Sequence, residues 1–361
     1  MSDQRGGTDP VRLRRVASHG PGISATVAPQ ASGRTRCMLK AHGAWRMAQG
    51  LEGWGRMGAD DFRYAAHADI AQLISRAWRL RHEDTRQARG AAARALDLAR
   101  VRADAVGAAW AALRLAVCEH ILALDQDTEL AQLQACVDSM RALRDDAGEA
   151  EALNLLGIAL SNRGSHEASL QAHRQCCALR QAAGDADGVA GSLGNQATPL
   201  RALGRWEEAR VVGLDSLRLA QQVGEVRMSA YARAGLGLTE LLAGNAVAAI
   251  VHLELAFAAA ARTEDRALEC TALTRLAQAR VQLGALDQAR ELLGHAQAMA
   301  LRTGNVRDGG RVCLVWGLLE RAAGDVDRAD AHFAAALHEA RRGHDRLLER
   351  EVDEARAASP A

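Results

Sequence analysis

Five glycines, each forty residues from the next, constrain the fold of this chain more than any other feature of its sequence. They are Gly164, Gly204, Gly244, Gly284 and Gly324. A second series of turn residues has the same spacing and is offset by twenty residues; it comprises Gly184-Asp185, Gly224-Glu225, Glu264-Asp265, Gly304-Asn305 and His344-Asp345. A fixed period of this length indicates an array of one structural unit.

The two series predict that each unit is a pair of antiparallel helices. A glycine just beyond a helix tolerates the positive φ that closes its last turn, and an Asp or Asn that follows can cap the next helix. The apolar pattern is helical from about residue 65 onward, and aromatic residues make up only 3% of the chain. We therefore expect an all-α solenoid of stacked helical hairpins, since one hairpin alone cannot bury its apolar faces.

Small residues recur at three fixed positions relative to each turn glycine. Small side chains let two helix axes approach closely, so these positions predict where the two helices of a hairpin touch. They are Gly157, Ala197, Gly237, Ala277 and Gly317 before the turn, then Ser169, Ala209, Ala249, Ala289 and Ala329, and finally Cys176, Ser216, Ala256, Ala296 and Ala336 after it.

The pattern resembles the tetratricopeptide repeat. The segment Gly204-Arg205-Trp206-Glu207-Glu208-Ala209 matches the turn of that family closely, and the resemblance extends over residues 150–344. The stride of forty exceeds the usual 34 or so and is similar to the long-repeat subclass of maltose-activator-type bacterial regulators. The sequence departs from the family at the usual large aromatic of the first helix, which is replaced by Leu160, Leu200, Glu240, Arg280 and Glu320.

The resemblance implies a right-handed superhelix of about seven hairpins with a concave groove. We expect the array to span residues 65–345, with a first hairpin near residues 67–104 that buries Trp78 and Leu96. Residues 346–361 are expected to form a charged capping helix and tail. Residues 1–64 are rich in Gly, Ser, Pro and Arg and predict a mostly disordered segment with a short helix near residues 38–49, unless the start codon is mispredicted.

Composition and motifs favour a protein without catalytic chemistry. The net charge is only +1, so we expect neither nucleic acid nor membrane as a partner. Lys40 is the only lysine, and the sequence contains no phosphate-binding loop and no nucleophile elbow. The seven cysteines include no C-x-x-C, which predicts a reduced, cytoplasmic protein. Neither a metal site nor a cofactor is expected, because no histidine has a second ligand at a suitable spacing.

The family places ligand contacts on the first helix of each hairpin, which implies a set of groove residues in this chain. Amide side chains could hold a peptide backbone, and arginines could bind a carboxylate or a phosphate. The alternative is that all of these side chains are simply solvated. The predicted peptide-binding residues are Asn154, Ser161, Asn162, Arg201, Thr274, Gln278, Gln282, Arg311 and Arg321.

Two functions fit the sequence. The first is a protein-interaction scaffold that binds a peptide or protein segment in the groove. The second is a stand-alone or truncated sensor of a bacterial signalling or transcription regulator whose effector domain is encoded separately. An enzyme is disfavoured because no catalytic set of residues can be assembled. The sequence does not indicate an oligomeric state.

Overall fold

The computed structural model describes residues 66–122, 124, 127–303, 305–343 and 345–357. These residues all fall within one structural unit, residues 34–361. The expectations for residues 1–64, and the turn positions Gly304 and His344, lie outside the described residues.

The described residues form fifteen α-helices and contain no strand. The helices are α1 Ala68–Leu80, α2 Thr85–Val101, α3 Ala105–Ile121, α4 Glu129–Ala142, α5 Asp146–Asn162, α6 His166–Ala182, α7 Ala186–Ala202, α8 Trp206–Gln222, α9 Val226–Leu242, α10 Ala246–Arg262, α11 Arg266–Gln282, α12 Leu286–Thr303, α13 Val306–Ala322, α14 Val326–Arg342 and α15 Arg346–Ala357.

Consecutive helices pack against one another, so α1 to α14 form seven stacked hairpins and α15 follows the last of them. We call the odd-numbered helices of these hairpins A helices and the even-numbered ones B helices. Each A helix also contacts the A helix of the next hairpin. The expected all-α stack of hairpins is therefore confirmed.

The predicted small residues lie where the two helices of a hairpin touch. A Cβ added to Gly157 would lie 2.6 Å from the ring of His173, and one added to Gly237 would lie 2.5 Å from Cγ of Leu253. Gly317 is covered in the same way by the ring of Phe333. No side chain larger than a hydrogen fits at these points unless the B helix moves.

The turn residues also behave as the spacing predicts. All five glycines of the first series have positive φ, between 70° and 85°. In the second series the carboxylates of Asp185, Asp265 and Asp345 accept hydrogen bonds from the backbone N–H three residues later. The last five hairpins are thus each closed by a left-handed glycine, and many of the following helices start on a side-chain cap.

Glu264 is the exception in the second series, because it has a φ of 55° without being a glycine. A residue with a Cβ pays about 1 kcal/mol for this left-handed conformation. The side chain is exposed, so its loss should cost little. Glu264→Gly should therefore raise the free energy of unfolding by about 0.5–1 kcal/mol in urea denaturation.

The reciprocal change provides the control. Gly224 occupies the equivalent turn one repeat earlier, has a φ of 77°, and has open space around its Cβ position. Gly224→Glu should lower the free energy of unfolding by a similar amount. Equal stabilities of the two variants would contradict this account of the turns.

In two of the five hairpins, the position that usually carries an aromatic residue carries a buried acid instead. Glu240 pairs with Arg210 of the preceding B helix. Two repeats later, Glu320 pairs with Arg290 at 3.3 Å in the same arrangement. Both carboxylates are almost completely buried. Ion pairs therefore join neighbouring hairpins where the family uses ring packing.

A cluster of aromatic and charged residues joins the first three hairpins. The Arg114 guanidinium lies 4.1 Å from the ring centre of Trp78 and 4.9 Å from that of Trp110. It also donates to the Glu151 carboxylate at 2.5 Å, and both charged side chains are at least nine-tenths buried. Trp78 is half-buried rather than fully buried, as is Leu96.

Candidate functional site

The stack of hairpins curves, so that its last helix approaches an earlier turn and the A helices line a groove. Arg350 of α15 reaches the α5–α6 turn, where its Nη1 atom lies 4.0 Å from the position of a Cβ on Gly164. Four hairpins, α7 to α14, separate these two residues in the chain. The A-helix face must therefore be concave, and we call the space that it encloses with α15 the groove.

One register position of the A helices lacks an apolar side chain in three successive hairpins, although its equivalents in the flanking hairpins, Leu155 and Val315, are buried. It carries Asn195 on α7, Gly235 on α9 and Arg275 on α11, each forty residues from the next. Asn195 donates to Oδ1 of Asn154 at 2.8 Å. A Cβ on Gly235 would meet nothing within 4 Å, so the groove has free space there.

Three arginines from different A helices form the main electrostatic feature of the groove; we call Arg201, Arg275 and Arg311 the arginine cluster. Arg311 donates to the Glu351 carboxylate of α15 at 2.7 Å. Arg275 donates to Gln278 at 2.8 Å, and Arg201 donates to the hydroxyl groups of Thr198 and Thr239. Among the described residues, neither Arg201 nor Arg275 has a carboxylate within ion-pair distance.

The pKa values of these two arginines reflect this setting. Burial lowers the pKa of Arg201 to about 10; repulsion from Arg275 adds to the effect and Glu351 opposes it. Burial likewise lowers the pKa of Arg275 to about 10, with repulsion from Arg311, again opposed by Glu351. Arg201 and Arg275 therefore hold their charges close together with little opposing negative charge. The pKa of Arg311 is instead raised despite burial, because Glu351, Asp345 and Asp308 lie near it.

The structure places the predicted residues of α5 in different surroundings. Asn154 is completely buried, and its Nδ2 atom has no hydrogen-bond partner among the described residues. Ser161 is half-buried and Asn162 is exposed at the end of the helix. A ligand could reach Ser161 and Asn162 directly, but it could reach Asn154 only after Asn195 moves.

The predicted residues of α11 also differ in accessibility. The hydroxyl of Thr274 is buried and donates to the backbone oxygen of Cys270 within its own helix. Gln278 is half-buried and holds Arg275, whereas Gln282 is exposed and donates to the Leu241 oxygen at 3.3 Å. Gln278 therefore belongs with the arginine cluster, and Thr274 lies beneath the surface.

The two arginines predicted on α13 both contact α15. Arg311 binds Glu351, and Arg321 donates to the backbone oxygen of Ala355 while its guanidinium lies 5.6 Å from the ring centre of Phe333. The structure thus brings Arg201, Gln278 and Arg311 together in the groove. Arg321 lies toward the other end of α13.

Sequence reasoning missed two members of the site, Arg275 and Glu351. Arg275 stands between apolar residues on α11, and this interruption was the available signal. The dense charge from Arg341 to Arg350 suggests a solvated face, but this does not hold for Asp345. That carboxylate is buried and lies 3.6 Å from Arg307, because α15 continues the A-helix series rather than trailing away from it.

Other candidate chemistry has structural explanations in the described residues. No group of three or more His, Cys, Asp or Glu side chains there could hold a metal ion. His173 packs on Gly157, and burial lowers its pKa to about 3, so it stays neutral. Cys176 and Cys177 are buried, and burial raises the pKa of both thiols.

None of the described helices combines the length and the apolar character that a bilayer crossing requires.

Comparisons with known proteins show the fold alone. No protein-family description matches the chain, and no curated protein matches it in sequence. A Rap protein in complex with Competence and Sporulation Factor has a TM-score of 0.63 and 12% identity, and the match covers 89% of this chain and 93% of that one. RapI without ligand gives a TM-score of 0.63 at 11% identity, covering 76% and 98%.

Two further solved structures share the architecture. The aspartyl phosphate phosphatase F of Bacillus subtilis has a TM-score of 0.57 and 13% identity, and the match covers 92% of this chain and 97% of that one. A signal transduction ATPase of Pyrococcus horikoshii with a tetratricopeptide repeat sensor gives 0.57 at 14% identity, covering 89% and 50%. The chain therefore has the fold of helical repeat proteins of the tetratricopeptide type.

Proposed function

We propose that this protein is a non-catalytic interaction scaffold that binds a peptide or protein segment in the groove. The observation that carries the proposal is the register position of Asn195, Gly235 and Arg275. In the flanking hairpins the same position carries the buried apolar residues Leu155 and Val315, so packing does not require a polar side chain there. In these three hairpins it carries an amide, free space and a guanidinium instead. Extended concave surfaces of this kind are what stacked hairpins use to bind partners.

The fold comparisons support the proposal by analogy. One structure of similar fold was solved in complex with Competence and Sporulation Factor. We extend that likeness only to the mode of binding, since identity is 12%. The expectation of a cytoplasmic bacterial regulator of the long-repeat subclass belongs to the same proposal.

Filling the groove should weaken binding. Gly235→Trp places a large ring in the free space between Asn195 and Arg275 without a clash at Cβ. We expect capture of partners from an extract of the native host, measured by quantitative mass spectrometry, to fall about tenfold, as loss of about 1.4 kcal/mol requires. Ala258→Trp is the matched control, because Ala258 is exposed on the B helix α10.

The comparison of these two variants decides the proposal. Both variants should keep the helical circular dichroism of the parent protein. Identical partner lists and yields for Gly235→Trp and the parent would show that partners do not enter the groove. Hydrolase or transferase activity of the purified parent protein would contradict the non-catalytic assignment.

A sensor module is the second candidate, favoured by one comparison. The repeat array of the Pyrococcus horikoshii ATPase is described as a sensor, and the matched part spans half of that chain. The neighbouring genes discriminate between the candidates. A DNA-binding or nucleotide-cyclase reading frame directly beside this one would favour the sensor.

A further inference from the structure

The arginine cluster carries more positive charge than the described residues balance. Arg311 shares its charge with Glu351 at 2.7 Å. Arg275 is only 8% exposed and has an amide as its partner, and Arg201 has two hydroxyl groups. Arg201 is half-buried. A guanidinium shielded from water without a carboxylate is costly to keep charged, so packing alone does not explain why two such arginines lie on one groove.

The position of Glu351 indicates what chemistry the cluster accepts. Its carboxylate is carried on a peptide chain, enters the groove from α15 and pairs with Arg311. The same carboxylate raises the pKa of both Arg201 and Arg275 and so opposes the effect of their burial. Arg311 has the carboxylates of Asp345 and Asp308 near it as well, so Glu351 is the carboxylate that acts on all three guanidinium groups.

Free space adjoins these arginines. Gly235 lies on α9, between α7 with Arg201 and α11 with Arg275, and the position of its Cβ is open. An extended segment can therefore run along the register position from Asn195 to Arg275. Acidic side chains on such a segment would meet Arg275 and could extend toward Arg201, whose guanidinium donates to Thr239 about one turn beyond Gly235 on α9.

We propose that the arginine cluster binds an acidic peptide segment, whose carboxylates pair with Arg201 and Arg275 while Glu351 occupies a third carboxylate position on Arg311. This inference rests on the proposed function and specifies its ligand class. Bidentate guanidinium–carboxylate pairs would supply both affinity and orientation. Binding would also relieve the charge repulsion within the cluster.

The test uses the full chain and a defined probe. Fluorescence anisotropy measures binding of a fluorescein-labelled hexaglutamate peptide, with a hexaglutamine peptide for comparison. We expect hexaglutamate alone to bind. Arg275→Gln and Arg201→Gln should each weaken binding about tenfold. The control Arg218→Gln removes an arginine on α8 whose side chain is 71% exposed, and it should leave the affinity unchanged.

Two further measurements distinguish a ligand site from a packing role. Arg275→Gln should hold or raise the Tm, because it removes a buried charge without a carboxylate partner. Glu351→Gln should tighten hexaglutamate binding, since it frees Arg311. A clear fall in the Tm of Arg275→Gln, or an unchanged or weaker affinity of Glu351→Gln, would overturn the assignment of these residues.

The remaining outcomes are equally decisive. Failure of hexaglutamate to bind, or binding to Arg201→Gln and Arg275→Gln as tight as to the parent protein, would overturn the acidic ligand class. Displacement of the peptide by an equal concentration of inorganic phosphate would assign the cluster to small anions instead. If Gly235→Trp still weakens partner capture while hexaglutamate does not bind, the groove function stands and only the ligand class fails.

Discussion

Replacing Gly237 with leucine should lower the free energy of unfolding by about 3 kcal/mol, near the upper end of the usual cost of overpacking. The first added atom, Cβ, would lie 2.5 Å from Cγ of Leu253 and 3.3 Å from the backbone oxygen of Ala249. The leucine side chain of residue 253 has no room to retreat, because it is completely buried. The α9–α10 hairpin must therefore open.

Gly235 supplies a matched control on the same helix. It lies two residues earlier, its Cβ position is open, and leucine is a better helix former than glycine by up to about 1 kcal/mol. Gly235→Leu should leave stability unchanged or raise it. Urea denaturation of the two variants, followed by circular dichroism, compares the same substitution in two environments. Similar stabilities would contradict the account of helix contacts given above.

The damage from Gly237→Leu should spread beyond its own hairpin. Each hairpin of a repeat array is stabilised by its interfaces with both neighbours, and α9 packs against α8, α10 and the flanking A helices α7 and α11. Hydrogen exchange should therefore accelerate in α7, α8, α11 and α12 as well as in α9 and α10. Exchange confined to α9 and α10 would indicate hairpins that unfold independently.

Removing the carboxylate of Glu151 should be at least as costly, at about 3–5 kcal/mol. Arg114 is 5% exposed at its side chain, lies between two tryptophan rings, and has this carboxylate 2.5 Å away. Glu151→Ala would leave a guanidinium buried without a counter-charge. Thermal and urea denaturation of Glu151→Ala measure the loss directly.

A double-variant cycle separates the pair from the packing. Arg114→Met with Glu151→Met should recover much of the stability, because apolar groups of similar volume replace both charges. Asp215→Ala is the control, since its partner Arg218 is 71% exposed and surface pairs contribute about 0–1 kcal/mol. A double variant as unstable as Glu151→Ala would show that the aromatic rings depend on the charge.

The spacing of turn residues determines the fold so strongly that sequence reasoning predicts it well. Glycines at a constant interval fix helix length, and the small residues fix which faces touch, as at Gly157 and Gly317. Both constraints act within one hairpin or between neighbours. For this reason the seven hairpins follow from local rules that can be applied without knowing the curvature of the stack.

The groove is less predictable because its members meet across many hairpins. Glu351 and Arg201 are separated by 150 positions, and only the summed rotation of the intervening hairpins brings them close. Burial depends on the same curvature, which is why Asn154 and Thr274 lie beneath the surface while Gln282 is exposed. A repeat alignment identifies the helix face but not the depth of each side chain.

The approach of Arg350 to the Gly164 turn has a mechanical consequence. Four hairpins and the interfaces between them separate Arg350 from the Gly164 turn along the chain. Small rotations at each interface therefore add along the stack. The distance between α15 and the α5–α6 turn should therefore change more than the spacing of the helices from α7 to α11. A ligand bound among those helices would therefore change the width of the groove at a distance from where it binds. A pair of spectroscopic labels, one on α15 and one on the α5–α6 turn, would detect this change.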